Sequence, residues 1–287
     1  MQEGRASKTA AWVAAGRGLG AMLPERARLC DDPYGVRFGG AEGLLRLHRR
    51  APWLATHVVA PALAPGILYM QVRTRVIDDE LRAFVASGGR QILLLGAGFD
   101  CRAARFAKQL EHAMVFEVDH PATQARKRAV LAGEAAAKTV YLAWNFEERA
   151  VGELPRELSV RGHDASRPTL TIWEGVTMYL QEASIDASVR AVRELSAPGS
   201  RFAFTYFDRT RLARPTLGMR VRGRAVARWG EPVRFGWDPA ELPAWMRARG
   251  FEVLRDREAR DWARDFLPPR WAARCAGVGS HIAIAAP

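Results

Sequence analysis

The stretch Gln91 to Arg102, which reads QILLLGAGFDCR, constrains the fold of this chain more than any other. Its apolar run, bounded by a polar start and a Gly-x-Gly stop, predicts a strand of a parallel sheet that helices cover on both faces. Gly96 and Gly98 lack a Cβ atom, so the backbone can turn sharply and approach a ligand, while the next helix offers free N–H groups. The stretch therefore predicts a nucleotide or nucleoside pocket, although a plain tight turn between a strand and a helix has the same pattern.

The residues after Gly98 favour one kind of nucleoside. Dinucleotide-binding turns carry a third small residue where Cys101 stands here, and Asp100 precedes it. The carboxylate of Asp100 would repel a pyrophosphate, but it could accept hydrogen bonds from the amino-acid end of S-adenosylmethionine. The next predicted strand, 114–118, ends at Asp119, roughly 20 residues after Gly98, where an acidic side chain meets ribose hydroxyls in such folds.

The order of predicted strands and helices indicates an α/β fold. Strands are predicted at 91–95, 114–118, 139–142, 169–173, 201–207, 251–254 and 280–285. Five alternating strand–helix units followed by a helix and two strands are the order of a class I methyltransferase. Its sheet is Rossmann-like, seven-stranded and mostly parallel, with helices on both faces and the last strand inserted antiparallel. A dehydrogenase would have a sixth parallel strand instead.

Polar residues at the carboxyl ends of these strands are the candidate site residues. Asn145 follows the third strand, where its amide could bind an adenine amine while Phe146 packs on the ring. Glu174 and Tyr179 follow the fourth strand. Arg73 lies in a long predicted helix, 66–85, and is either a surface residue or a cation that reaches the pocket and binds the cofactor carboxylate.

Composition limits the partners. The formal net charge is +12 and comes almost entirely from arginine, since the only lysines are Lys8, Lys108, Lys127 and Lys138. The excess reflects either the coding bias of a GC-rich genome or an anionic partner, such as an acidic substrate, a carrier protein or a nucleic acid. No apolar run is long enough to predict a membrane span, and the three cysteines have no metal-ligand spacing. We therefore expect a cytoplasmic protein without a metal.

Five motifs in this order resemble the leucine carboxyl methyltransferase family. They are Asp32-Pro33-Tyr34, Arg73, Leu95 to Arg102, Glu117 to Pro121 and Glu174 to Leu180. The resemblance extends from about Thr9 to the Gly-Trp-Asp-Pro stretch at 236–239 and onward. It implies a class I S-adenosylmethionine-dependent O-methyltransferase with a single domain. That domain would comprise a helical cap at 1–88, a cofactor core at 89–208, a substrate lid at 209–237 and a C-terminal part at 238–287.

The resemblance also implies roles for single residues. Arg73 would hold the cofactor carboxylate, Asp119 the ribose, and Tyr179 would lie beside the methyl donor, so that Tyr179 and Arg73 are the catalytic candidates. Further cofactor contacts are implied for Gly96, Ala97, Gly98, Asp100, Glu117, Asn145, Phe146 and Glu174.

Two positions depart from the family pattern. Asn145 stands where an aspartate is usual, which predicts weaker adenine binding. The family lysine near the N-terminus has only Lys8 and Arg17 as candidates.

The segment between the fifth strand and Asp238 predicts the acceptor. Residues 209–237 carry many arginines and a single acidic residue, Glu231, and in the family this region forms the lid over the acceptor. Arg222, Arg224 and Trp229 are the substrate candidates. We expect an anionic small-molecule acceptor, free or on an acyl carrier protein, and Trp229 with Phe235 and Trp237 would suit a flat aromatic one. A solvated basic segment is the alternative.

Two classes of acceptor require different chemistry. A carboxylate is ionised at neutral pH, since its reference pKa is about 4, and it needs no base. A phenol or alcohol would need one, with His48, His57, His120, His163 or Tyr179 as candidates. The main hypothesis is methylation of a carboxylate or hydroxyl in secondary metabolism. Alternatives are methylation of a protein C-terminus or a modified tRNA base, cofactor binding without catalysis, and a dehydrogenase.

Overall fold

A computed structural model describes residues 7–51, 53, 60–146, 148–213, 233–276 and 279–287. All seven predicted strands are present. Their bounds are β1 Gln91–Leu95, β2 Met114–Asp119, β3 Lys138–Ala143, β4 Thr169–Trp173, β5 Arg201–Phe207, β6 Glu252–Glu258 and β7 Ser280–Ala286.

The strands form one sheet in the order β3-β2-β1-β4-β5-β7-β6. Strands β1 to β5 are parallel, and β7 lies antiparallel between β5 and β6. This confirms the predicted mostly parallel seven-stranded sheet with an antiparallel last strand. The strand order reverses between β1 and β4, and ligands of open α/β sheets bind outside the carboxyl ends of strands at such a point.

Helices lie before and between the strands. They are α1 Lys8–Gly18, α2 Gly35–Gly39, α3 Glu42–Arg50, α4 Ala60–Ala86, α5 Arg102–Arg105, α6 Pro121–Val130, α7 Leu154–Val160, α8 Glu182–Glu194, α9 Arg209–Ala213, α10 Leu242–Arg247, α11 Ala259–Phe266 and α12 Pro269–Ala272. None of these described helices is long and apolar enough to cross a membrane.

Side-chain alternation along β1 divides the core between the two faces of the sheet. Ile92 and Leu94 belong to the cluster that contains α4 and α11, whereas Leu93 and Leu95 belong to the cluster that contains α8. All five residues of β1 are buried. A strand buried on both faces reads as a continuous apolar run, which is why its bounds are predictable from sequence.

The N-terminal helix α1 packs against the glycine turn at the carboxyl end of the central strand β1. Ser7 caps it, since its Oγ accepts a hydrogen bond from Ala10 N at 3.0 Å. Near the other end of the helix, Arg17 donates to the carbonyl oxygen of Phe99 at 2.5 Å. The helix therefore lies directly over the residues that follow β1.

Candidate active site

A cavity of about 270 Å³ opens at the carboxyl ends of β1, β2 and β4, beneath α1. Its size is near the lower end for small-molecule sites. It brings together all but one of the predicted cofactor and catalytic residues: Arg73, Gly96, Ala97, Gly98, Asp100, Asp119, Asn145, Phe146, Glu174 and Tyr179.

The turn after β1 requires glycine at two positions. Gly96 has a φ of 68° and Gly98 a φ of 50°, a region that side chains disfavour. A Cβ atom at Gly96 would lie 2.6 Å from Cγ2 of Val176, so the turn also packs too closely against the loop after β4 to accept a side chain. The turn is thus shaped by its own backbone and by the neighbouring strand end.

Asp119 joins the glycine turn to the end of β2. Its Oδ2 accepts a short hydrogen bond from Gly98 N, and its Oδ1 accepts one from His120 N at 2.6 Å. Burial raises the pKa of Asp119, against the opposing effect of these two bonds. Each carboxylate oxygen keeps a further lone pair, so the side chain could still accept hydrogen bonds from ribose hydroxyls at the cavity wall.

Glu174 is the centre of a buried charge network. Its Oε1 lies 2.7 Å from Nε of Arg73, and its Oε2 lies 2.7 Å from Nη1 of Arg102. Although burial acts to raise it, the charges of Arg73 and Arg102 hold the pKa of Glu174 well below its usual range. Asp78 of α4 holds Nε of Arg102 at 2.8 Å, and Asp100 pairs with the same guanidinium.

This network holds the Arg73 side chain at the cavity wall. The residue is only 3% exposed and lines the cavity wall, so the interpretation of Arg73 as a surface helix residue is wrong. Glu174 engages Nε, and the ring of Tyr69 lies 5.5 Å from the centre of the same guanidinium. The two terminal Nη groups lie 3.7 and 4.0 Å from where a Cβ of Gly175 would be. Such a fork suits a carboxylate.

Of the two candidates for the family lysine, only Arg17 lines the cavity. Its Nε lies 2.8 Å from Oδ2 of Asp32, which is itself buried, whereas Lys8 is exposed. The Asp32-Pro33-Tyr34 motif therefore serves to fix a cation of α1 against the glycine turn.

Glu117 is the one predicted cofactor residue that does not line the cavity, and its assignment is corrected. Its carboxylate is fully buried, and Oε2 lies 2.6 Å from Nζ of Lys127 on α6. Two residues before the end of β2, Glu117 stands about 7 Å below the strand end where the cavity opens. It lines a separate cavity of about 180 Å³ with Lys127 instead.

The residues predicted to contact the acceptor lie partly outside the described residues. Arg222, Arg224 and Trp229 lie outside the described residues. Trp237 is 4% exposed and packs edge-on against Phe204, and Phe235 packs edge-on against Trp237. Neither Phe235 nor Trp237 lines the cavity, so their contact with an aromatic acceptor stays a prediction.

Sequence reasoning missed the arginines and acids behind the cavity. Arg102 is 2% exposed and pairs with Asp78 as well as with Glu174, and Asp78 is fully buried and also pairs with Arg105. Asp78 directly follows the apolar residues Val76 and Ile77 inside a helix. A charge amid an apolar stretch was the signal that a buried partner existed.

Comparison with known proteins decides the family. The model of the leucine carboxyl methyltransferase family matches residues 10–193. The chain belongs to this family. A protein of Streptomyces coelicolor named as an S-adenosyl-L-methionine-dependent methyltransferase is 36% identical over 237 residues, which cover 80% of this chain and 79% of the relative. A Frankia alni protein of the same description is 31% identical, with 93% of this chain and 92% of the relative covered.

Two solved structures share the fold. A DUF574 family protein of Streptomyces avermitilis has a TM-score of 0.56 at 16% identity, covering 96% of this chain and 97% of its own. A protein of Thermobifida fusca named as a methyltransferase has a TM-score of 0.54 at 20% identity, covering 94% and 97%.

This member of the leucine carboxyl methyltransferase family is thus an S-adenosylmethionine-dependent methyltransferase. The residues at the cavity fit that cofactor: Asp119 offers acceptors for its ribose, and Arg73 offers donors for its carboxylate. No group of three or more His, Cys, Asp or Glu residues in the described ranges could hold a metal ion.

Proposed function

We propose that this methyltransferase transfers the methyl group to a carboxylate oxygen of a small anionic molecule. The observation that carries the proposal is the hydrogen bond made by His120, which lines the cavity. Its Nδ1 accepts a hydrogen bond from Ala122 N at 3.2 Å, as the N-cap of α6. A neutral ring with an occupied Nδ1 lone pair has its proton on Nε2 and has no free lone pair to act as a base.

The other candidate histidines do not replace it. His48 and His163 are absent from the cavity wall, and His163 bonds to Thr169 at the opposite end of β4, while His57 lies outside the described residues. Tyr179 lines the cavity, and its hydroxyl carries a hydrogen-bond donor as well as an acceptor. These features support an acceptor that needs no deprotonation.

A carboxylate meets that requirement, because it is already ionised well above a pKa of about 4. When bound, S-adenosylmethionine supplies an electrophilic methyl group, whose bond to sulfur breaks with its electron pair left on sulfur as the acceptor oxygen bonds to carbon. The residues of this chain then have to align the acceptor and exclude water. Such positioning can lower a barrier by roughly 7–11 kcal/mol.

We assign this task to residues of the described cavity walls. Arg73 would hold the carboxylate of the cofactor, Asp119 would hold its ribose, and Asn145 with Phe146 would hold its adenine. Tyr179 and the residues of α1, such as Val13, would form the acceptor side. A leucine carboxylate at a protein C-terminus is the second candidate acceptor; the family match favours it, and it offers the same nucleophile.

The proposal is tested by the chemistry of the product. The enzyme is incubated with S-adenosylmethionine carrying a labelled methyl group and a mixture of carboxylic acids, phenols and cell extract, and the products are treated with mild alkali. We expect small-molecule label that is released as methanol, because esters hydrolyse and ethers do not.

Each other outcome contradicts the proposal in its own way. Alkali-stable label in a small molecule would show a hydroxyl acceptor. Alkali-labile label in the protein fraction would favour the C-terminal carboxylate, and label in RNA would show a nucleic-acid substrate.

A further inference from the structure

Three arginines of the described chain line the cavity, and they differ in how their charge is balanced. Arg17 pairs with Asp32, and Arg73 pairs with Glu174, in each case at less than 3 Å between Nε and a carboxylate oxygen. Both arginines are buried. Arg234 is exposed at the cavity, and its guanidinium has no ion pair with the part of the chain that the structure describes.

The backbone of Arg234 is fixed beside the predicted methyl-donor side of the cavity. Its N–H donates to the carbonyl oxygen of Met178 at 2.7 Å, and the N–H of Phe235 points to the same oxygen at 3.3 Å. Met178 lies in the short 3₁₀ turn Thr177–Tyr179. Arg234 is therefore tied to the turn that carries Tyr179.

The residues after Arg234 anchor this segment in the core. Trp237 is buried, and its carbonyl oxygen accepts a hydrogen bond from Arg209 N at 2.8 Å. A Cβ atom at Gly236 would lie 2.4 Å from the carbonyl oxygen of Phe207, so the backbone passes too closely over the end of β5 for any other residue. The segment thus presents the Arg234 side chain from a fixed backbone position.

We propose that Arg234 is the residue that binds the carboxylate of the methyl acceptor. The inference rests on the proposed function, since it requires an anionic acceptor. An arginine whose charge no described carboxylate balances is the group at this cavity best suited to an incoming anion. It would hold one carboxylate oxygen while the other oxygen forms the bond to the methyl carbon, and no proton is transferred.

This arrangement also distinguishes substrate from product. The acceptor carries a negative charge before the reaction, and the methyl ester is neutral. Arg234 would therefore bind the substrate through a charge-assisted hydrogen bond and the product only through a weaker neutral one. Methylation itself would loosen the product from the site.

The test compares Arg234→Gln, Arg234→Lys and Arg247→Gln with the unaltered enzyme. Arg247 is exposed on α10 and does not line the cavity, so its replacement removes the same charge elsewhere. The probe is a mixture of aliphatic and aromatic carboxylic acids, and alkali-labile methyl transfer is measured as its total concentration is varied.

For Arg234→Gln we expect about a tenfold rise in the half-saturating concentration of acids. S-adenosylhomocysteine affinity should stay unchanged. Arg234→Lys should recover part of the loss, because it keeps the charge but not the planar fork. Arg247→Gln should behave as the unaltered enzyme.

Ionic strength gives a readout that a merely structural role would not change. Since salt screens exposed charges, the half-saturating concentration should rise with salt in the unaltered enzyme and change less in Arg234→Gln. If the unaltered enzyme forms no alkali-labile ester, the proposed function fails. If it forms one and Arg234→Gln keeps the same half-saturating concentration, only the role of Arg234 fails.

Discussion

Replacing Glu174 by alanine is expected to lower the free energy of unfolding by about 3–5 kcal/mol, the range found when one partner of a buried ion pair is removed. Glu174 accepts from Arg73 on one oxygen and from Arg102 on the other. Both arginines are at most 3% exposed, so each guanidinium would lose a buried partner. Denaturant unfolding at pH 7 measures the difference, with Glu252→Ala as the control, since Glu252 is exposed at the edge strand β6.

The effect should depend on pH in a defined direction. The folded-state pKa of Glu174 is depressed, chiefly by Arg73 and Arg102 acting against burial, so its stabilising contribution is complete above the unfolded-state pKa of about 4.3. The contribution is lost as the pH falls through the folded-state pKa. The difference between the unaltered protein and Glu174→Ala should therefore shrink below about pH 4. A difference of less than about 1 kcal/mol at pH 7 would contradict the network.

Replacing Asp119 by asparagine is expected to weaken S-adenosylhomocysteine binding at least tenfold, or about 1.4 kcal/mol. Both carboxylate oxygens already accept backbone N–H groups, from Gly98 and His120. The amide NH₂ of asparagine would turn a donor toward one of these donors and would remove lone pairs that the ribose needs. Isothermal titration calorimetry measures the loss, and Asp31→Asn, at an exposed position, is the matched control.

The charge of Asp119 gives this prediction a pH dependence. Because burial raises its pKa, Asp119 becomes protonated at a higher pH than an ordinary aspartate, and cofactor affinity should begin to fall there as the solution is acidified. Asp119→Asn should lack that dependence. Equal affinity in both proteins at neutral pH would remove Asp119 from the ribose site.

The sequence predicts the buried parallel strands better than it predicts the edge strand. Strands β4 and β5 have the predicted bounds, and β1 to β5 are all parallel-sheet strands flanked by turn residues. Strand β6 is different: the sequence predicts it at 251–254, and it extends over Glu252–Glu258. It is an edge strand with alternating charges and a bulge between Val253 and Arg255, so it lacks the apolar run that marks a central strand.

The candidate site was predictable where function is carried by local motifs and not where it depends on distant partners. The glycine turn and Asp119 lie within short stretches of sequence, and both are at the cavity. Arg102 is held by Asp78, 24 residues earlier, and Arg17 by the carbonyl of Phe99, 82 residues later. Glu117 was misassigned because a motif does not show how far along a strand the cavity extends.

The most direct test of base-free carboxylate methylation is the pH dependence of the single-turnover rate with saturating acceptor and cofactor. We expect that rate to stay within about twofold from about pH 6.5 to about pH 9, because an acceptor with a pKa of about 4 is ionised throughout. A rate that rises about tenfold per pH unit in that range would show that a hydroxyl proton must be removed, and it would contradict a carboxylate acceptor.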